Sequence, residues 1–113
     1  YDIYADAMLG RVFANLVDNT LRHGGTVTEV RVSAREEQNL LYIFYADDGK
    51  GIEDSIKEQI FNRGFGSHTG YGLFLVREIL SITHCTIQEV GTAGKGVVFE
   101  IHVPFTNFRI HQS

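Results

Sequence analysis

The chain has one proline, one cysteine, one methionine and no tryptophan in 113 residues. A lone cysteine closes no internal disulfide and builds no multi-cysteine zinc site, so Cys85 reads as a core thiol and a reduced, cytoplasmic setting is expected. No stretch approaches the roughly 20 apolar residues that cross a bilayer, and the first residues lack the basic, apolar and small-residue order of a signal sequence. Basic charge is scarce as well. Ten Lys and Arg against 14 Asp and Glu leave a net charge of -4, which argues against nucleic-acid binding through a broad basic surface. His23, His68, His84, His102 and His111 show no metal-ligand spacing, and neither GxxxxGK[ST] nor a full GxGxxG opening a helix is present.

Glycine is abundant. Eight of the twelve fall at positions 49, 51, 64, 66, 70, 72, 91 and 94, a distribution that suggests loops shaped around a ligand. With 43% hydrophobic and 21% charged residues, the chain reads as one globular domain over 1–113, with no linker or repeat and a loose tail over 106–113.

Leu9, Val12, Phe13, Leu16 and Thr20/Leu21 have helical spacing behind Asp6 as N-cap, which predicts a helix over about 6–23 closed by Gly24 and Gly25. Residues 28–34 alternate as a half-buried strand, Gln38 and Asn39 form a turn, and the denser 40–45 run reads as a central strand. A turn of helix is expected around 54–61. A second helix, apolar most of the way round and therefore buried, is expected from Gly70–Gly72 to about Thr83, followed by strands over 86–90 and 97–103. The order predicts an α+β two-layer sandwich, with helices on one face of a mixed sheet of about five strands, the fifth drawn from residues 1–4.

Three segments are candidates for chemistry. Asn15, Asp18, Asn19 and Arg22 share one helix face opposite the apolar stripe. They are either a solvated face or a ligand-binding one. Mid-helix Asn and Asp cost helix propensity, and amide oxygens suit Mg²⁺ that also binds phosphates. Asp47, Gly49, Gly51 and Ile52 follow the central strand, as a tight turn or as a carboxylate able to accept a bond from an exocyclic amine such as adenine's, with glycines admitting a flat ring. Thr69, Gly70, Tyr71, Gly72 and Leu73 open the second helix, where free N–H groups favour phosphate, although ordinary helix-start chemistry explains them equally well.

In this order and spacing the three segments resemble the ATP-binding site of the Bergerat-fold (GHKL) superfamily, shared by gyrase, the ninety-kilodalton heat-shock chaperone, histidine kinases and mismatch-repair ATPases. Residues 13–24 resemble the N box in its sensor-histidine-kinase form. Asp47-x-Gly49-x-Gly51-Ile52 resembles the first glycine box, residues 60–65 the F box, and Thr69-Gly70-Tyr71-Gly72-Leu73 the second glycine box. The resemblance implies that Asn19 ligates Mg²⁺, that Asn15 makes a second polar contact, that Arg22 and His23 reach phosphate and sugar, and that Asp47 bonds the adenine amino group. Asn15 and Arg22 would carry the transfer, and residues 53–69 would form an ATP lid.

Hydrolysing members are similar but place a Glu where this chain has Asn15, and an amide is no general base at neutral pH. The resemblance therefore implies the catalytic domain of a two-component sensor histidine kinase. Such a domain binds Mg-ATP and transfers the γ-phosphoryl to a His on a separate dimerisation hairpin, which then serves a response regulator. The chain is expected to be a fragment of that kinase, with no nucleic-acid or membrane contact of its own. The alternatives are a stand-alone Ser/Thr kinase of the same fold or a non-catalytic binding module. Three positions depart from the family pattern: His68 where a Gly is frequent, and Val97 and Val98 where a Thr is frequent.

Overall fold

The computed structural model describes residues 3–38, 40–62 and 72–104, with side chains from residue 9 onward in the first helix. Helix α1 spans Ile3–His23, strands β1 and β2 span Val30–Glu37 and Leu40–Asp47, and a 3-10 turn covers Asp54–Ile56. Helix α2 (Gly72–Ile82) then leads into β3 (Thr86–Glu89) and β4 (Val98–Pro104).

Helix α1 begins at Ile3, so no fifth strand comes from Ile3 and Tyr4. No Pro or Gly separates them from the helix-favouring Ala5, Ala7, Met8 and Leu9, and the helix continues backwards through Asp6. At its other end Gly24 N–H donates to Thr20 O at 2.9 Å and Gly25 takes φ +76°, as the paired glycines imply. Helix α2 closes differently. Cys85 N–H reaches Leu80 O at 2.9 Å and His84 N–H reaches Ser81 O at 3.1 Å, with His84 itself at φ +64°. This is a Schellman end with His84 in the position that glycine usually takes.

The described sheet has four strands in the order β1-β2-β4-β3. All three pairings are antiparallel, against the expectation of a mixed sheet of about five. A fifth strand was expected from the first segment, whose described residues Ile3 and Tyr4 are helical instead. Strand β2 is central, as its apolar density implies. It alternates cleanly, with Leu41, Ile43, Tyr45 and Asp47 turned inward, and β4 answers with Phe99, Ile101 and Val103.

Val12 and Leu16 of α1 and Leu73, Val76 and Leu80 of α2 complete the core against that face. Among the described residues α2 fully buries one stripe, Leu73, Val76 and Leu80, against the sheet. Leu75 and Ile82 are exposed, against the expectation of burial all round. Strand β1 is exposed along its whole length rather than half-buried, because it forms the sheet edge beyond the helices.

The contrast between two leucines of α1 tests this packing. Leu16 is 0% exposed and Leu21 is 75% exposed. Leu16→Ala is expected to lower unfolding free energy in urea by about 2–5 kcal/mol. Leu21→Ala should change it by less than about 0.5 kcal/mol.

Candidate functional site

The inward face of β2 ends in a carboxylate. Asp47 is 6% exposed, yet it lies in the wall of a cavity of 510 Å³. Its Oδ1 accepts from Gly49 N–H at 2.9 Å and Val97 N–H at 3.1 Å, and its Oδ2 accepts from the Thr20 hydroxyl at 2.8 Å. Thr20 also bonds the Tyr45 hydroxyl at 2.7 Å. Burial raises the Tyr45 phenol above its ordinary pKa, the Thr20 bond opposes this, and the Asp47 charge adds to the rise. One polar position in the apolar stripe of α1 thus joins helix, central strand and cavity.

The cavity takes its next wall from the polar face of α1. Asn15, Asp18, Asn19, Arg22 and His23 all line it, over roughly 12 Å of helix. Arg22 Nε donates to Asp18 Oδ2 at 2.8 Å, an exposed i, i+4 pair worth little to stability. Asn15 and Asn19 are half-buried, and no side-chain bond holds either among the described residues. Arg22 and His23 also stand in the last turn of α1, where cations suit the negative end of the helix dipole.

The loop after β2 supplies Lys50, Gly51, Ile52 and Glu53, the 3-10 turn supplies Ile56, and the turn after it supplies Ile60. Gly51 sits at φ +75°, and a Cβ there would approach Thr92 O to 2.9 Å and Gly96 O to 3.0 Å. Only glycine lets the β2 loop and the β3–β4 loop close together at this point. Gly72 and Leu73 line the cavity from the start of α2, with Phe74 beside them, and Gly94 and Val97 line it from the β3–β4 loop.

Most of the expected site therefore converges, with one exception. Gly49 does not line the cavity but packs against Gly24 and Val27. Its contribution is the N–H given to Asp47. Thr69, Gly70 and Tyr71 lie outside the described residues, as do residues 63–68 of the expected lid, His68 among them.

Sequence reasoning missed Thr20, whose signal was a hydroxyl at a core-facing helical position. It also missed Lys50, Glu53 and Phe74, which carry no signal apart from their neighbours in the motifs, whereas Asn62 lies within the F box. Val97 supports Asp47 through its backbone N–H, so the missing threonine hydroxyl leaves that bond intact. Beside the cavity, Asp48 accepts from the Thr28 hydroxyl and from Thr28 N–H at 2.8 Å and Glu29 N–H at 3.1 Å. These bonds, the Thr28 hydroxyl first, hold its carboxyl below the ordinary range.

A buried carboxylate facing a cavity, with amide oxygens and cations along one helix, suits a ligand with an amine-bearing flat group and an anionic, metal-bound end. The comparisons with known proteins point to a nucleotide-binding family. Residues 5–107 match the family described as Histidine kinase-, DNA gyrase B-, and HSP90-like ATPase. The chain belongs to that family.

Among curated proteins it is 31% identical over 101 residues to a probable C4-dicarboxylate sensor kinase of Halalkalibacterium halodurans, a match covering 82% of this chain and 19% of the relative. It is 28% identical over 104 residues to the sensor histidine kinase YvrG of Bacillus subtilis, covering 85% and 18%. The chain thus spans about a fifth of the length of these relatives. Among solved structures, full-length ShkA in complex with AMPPNP superposes with a TM-score of 0.77 at 20% identity, over 86% of this chain and 21% of that one. The catalytic domain of histidine kinase ThkA superposes with a TM-score of 0.74 at 25% identity, over 87% and 67%. The α+β fold of this chain is therefore that of histidine kinase catalytic domains. No described helix is long and apolar enough to cross a membrane.

Two substitutions test the bonds that build the site. Thr20→Val keeps the shape but leaves a buried Asp47 oxygen without its donor, and should lower the urea unfolding free energy by about 1–3 kcal/mol. Asp48 has a depressed pKa in the folded state, so its contribution is present above the ordinary carboxylate pKa and is lost as pH falls through the folded value. Asp48→Asn should therefore flatten the acid limb of a stability-against-pH curve while changing its slope near neutrality little.

Proposed function

We propose that this chain is the Mg-ATP-binding catalytic domain of a sensor histidine kinase. The observation that carries the reading is Asp47, a carboxylate buried in the cavity wall whose Oδ2 accepts a single bond among the described residues and so retains room for an adenine amino group. Family membership, the sensor kinases among its relatives and the AMPPNP complex of ShkA support the same reading.

In this reading Asp47 binds adenine, with Gly51 and Ile52 against the ring and Gly49 holding the carboxylate in place. Asn15, Arg22 and His23 meet the sugar and phosphates along α1, and Gly72 and Leu73 meet them at the start of α2. Asn19 supplies a neutral amide oxygen to Mg²⁺, which fits a metal held by one or two protein oxygens and by phosphates. When bound, the metal neutralises charge on the phosphates. The chain's own residues contribute position and electrostatics, with Arg22 and Asn15 closest to the group transferred.

The acceptor is a histidine nitrogen on a separate dimerisation hairpin. The γ-phosphorus–oxygen bond breaks, a phosphorus–nitrogen bond forms, and ADP leaves with the bond electrons. The phosphoryl group then serves a response regulator, all in the cytoplasm. Asn15 offers no base to a water molecule, which favours transfer over hydrolysis.

Isothermal titration tests the site. The wild-type chain should bind ATP more tightly with Mg²⁺ than without, and Asn19→Ala should remove most of that difference while leaving metal-free binding nearly unchanged. An equal loss with and without metal would mean that Asn19 acts only in the fold.

A further inference from the structure

A buried ion pair stands behind the cavity rather than in it. The Glu89 side chain is 0% exposed and that of Lys57 is 16% exposed, and the two form a salt bridge. Both ends are fully engaged. Lys57 Nζ also donates to Gly91 O at 2.8 Å, while Glu89 Oε2 accepts from Gly91 N–H at 3.1 Å and Val98 N–H at 2.9 Å. Asp54 adds a longer contact to Lys57 at 3.7 Å. A buried pair of this kind rarely improves on well-packed apolar residues as a source of stability, so its geometry points to another use.

The two residues tie together separate walls of the cavity. Lys57 follows Ile56 directly, in the segment that places Ile56 and Ile60 on the cavity. Glu89 ends β3 and fixes the loop that carries Gly94 and Val97. That loop supports the proposed adenine end. Val97 N–H donates to Asp47 Oδ1, Asp47 N–H donates to Val97 O at 3.0 Å, and Gly94 N–H donates to Lys50 O at 2.6 Å.

We propose that Lys57 and Glu89 are positioning residues for the nucleotide, clamping the 3-10 segment to the β3–β4 loop so that Val97 holds the Asp47 carboxylate in its adenine-reading orientation. This role rests on the reading of the cavity as a nucleotide site. Neither side chain touches the ligand, and the effect is confined to the adenine end.

Titration of AMP, ADP and Mg-ATP into the chain and its variants tests the role, at a temperature where circular dichroism shows each variant folded. Glu89→Gln and Lys57→Met each break the pair. A double Lys57→Met/Glu89→Gln variant leaves no uncompensated charge and keeps an amide oxygen for Gly91 and Val98 N–H, and so remains foldable where a single variant does not. Each variant is expected to raise Kd about tenfold, by a common factor for all three nucleotides, because the clamp acts where they are identical. Wild-type affinity in the folded variants, or a loss restricted to Mg-ATP, would overturn the positioning role while leaving the nucleotide site standing. A wild-type chain that binds none of the three would instead overturn the nucleotide reading, and this role with it.

Discussion

The carboxylate of Asp47 is where the fold and the cavity depend on the same bonds. Gly49 N–H and Val97 N–H converge on one oxygen and the Thr20 hydroxyl meets the other, so a loop, a distant strand approach and a helix are fixed by one side chain. A buried charge is tolerated only when bonded in this way. The arrangement orients the group for recognition at the same time. Among the described residues Oδ1 accepts two bonds and Oδ2 one, which leaves acceptor capacity at Oδ2. Gly51 completes the junction by admitting the β3–β4 loop close to the end of β2.

The polar face of α1 was legible because its composition is unusual for a solvated face. Asn15, Asn19 and Asp18 weaken a helix, and the structure places all three on the cavity. The central place of β2 was legible from its apolar alternation, and Gly24 and Gly25 marked the end of α1 through a backbone conformation that few residues share. Other features depend on partners distant in sequence. Val30 and Val32 alternate like a half-buried strand, but nothing in their spacing reveals that the helices stop short of β1. The outward stripe of α2, with Leu75 and Ile82, is apolar without being covered. Thr20 reads as a tolerated polar residue until Tyr45 and Asp47 are brought beneath it.

The glycine boxes were legible as motifs but not as individual contacts. Gly51 faces the cavity while Gly49, two residues earlier, acts through its N–H and through close packing on Gly24. Lys57 and Glu89 lie 32 residues apart and carry no local signal. Their pairing emerges only when the 3-10 segment folds onto the end of β3. Motif positions thus mark much of the cavity lining, whereas the bonds that hold that lining in place come from elsewhere in the chain.

The most direct test of the account is the discrimination between a 6-amino and a 6-oxo purine nucleotide by wild type and by Asp47→Asn. In the variant the amide oxygen must accept from Gly49 and Val97 N–H, which turns the amide NH₂ toward Thr20 and the cavity. Competition binding of ATP against ITP should favour ATP by about tenfold or more in the wild type, and the preference should shrink or reverse in the folded variant. Equal binding of ATP and ITP by the wild type, or an unchanged preference in Asp47→Asn, would contradict the assignment of Asp47 as the adenine-reading group.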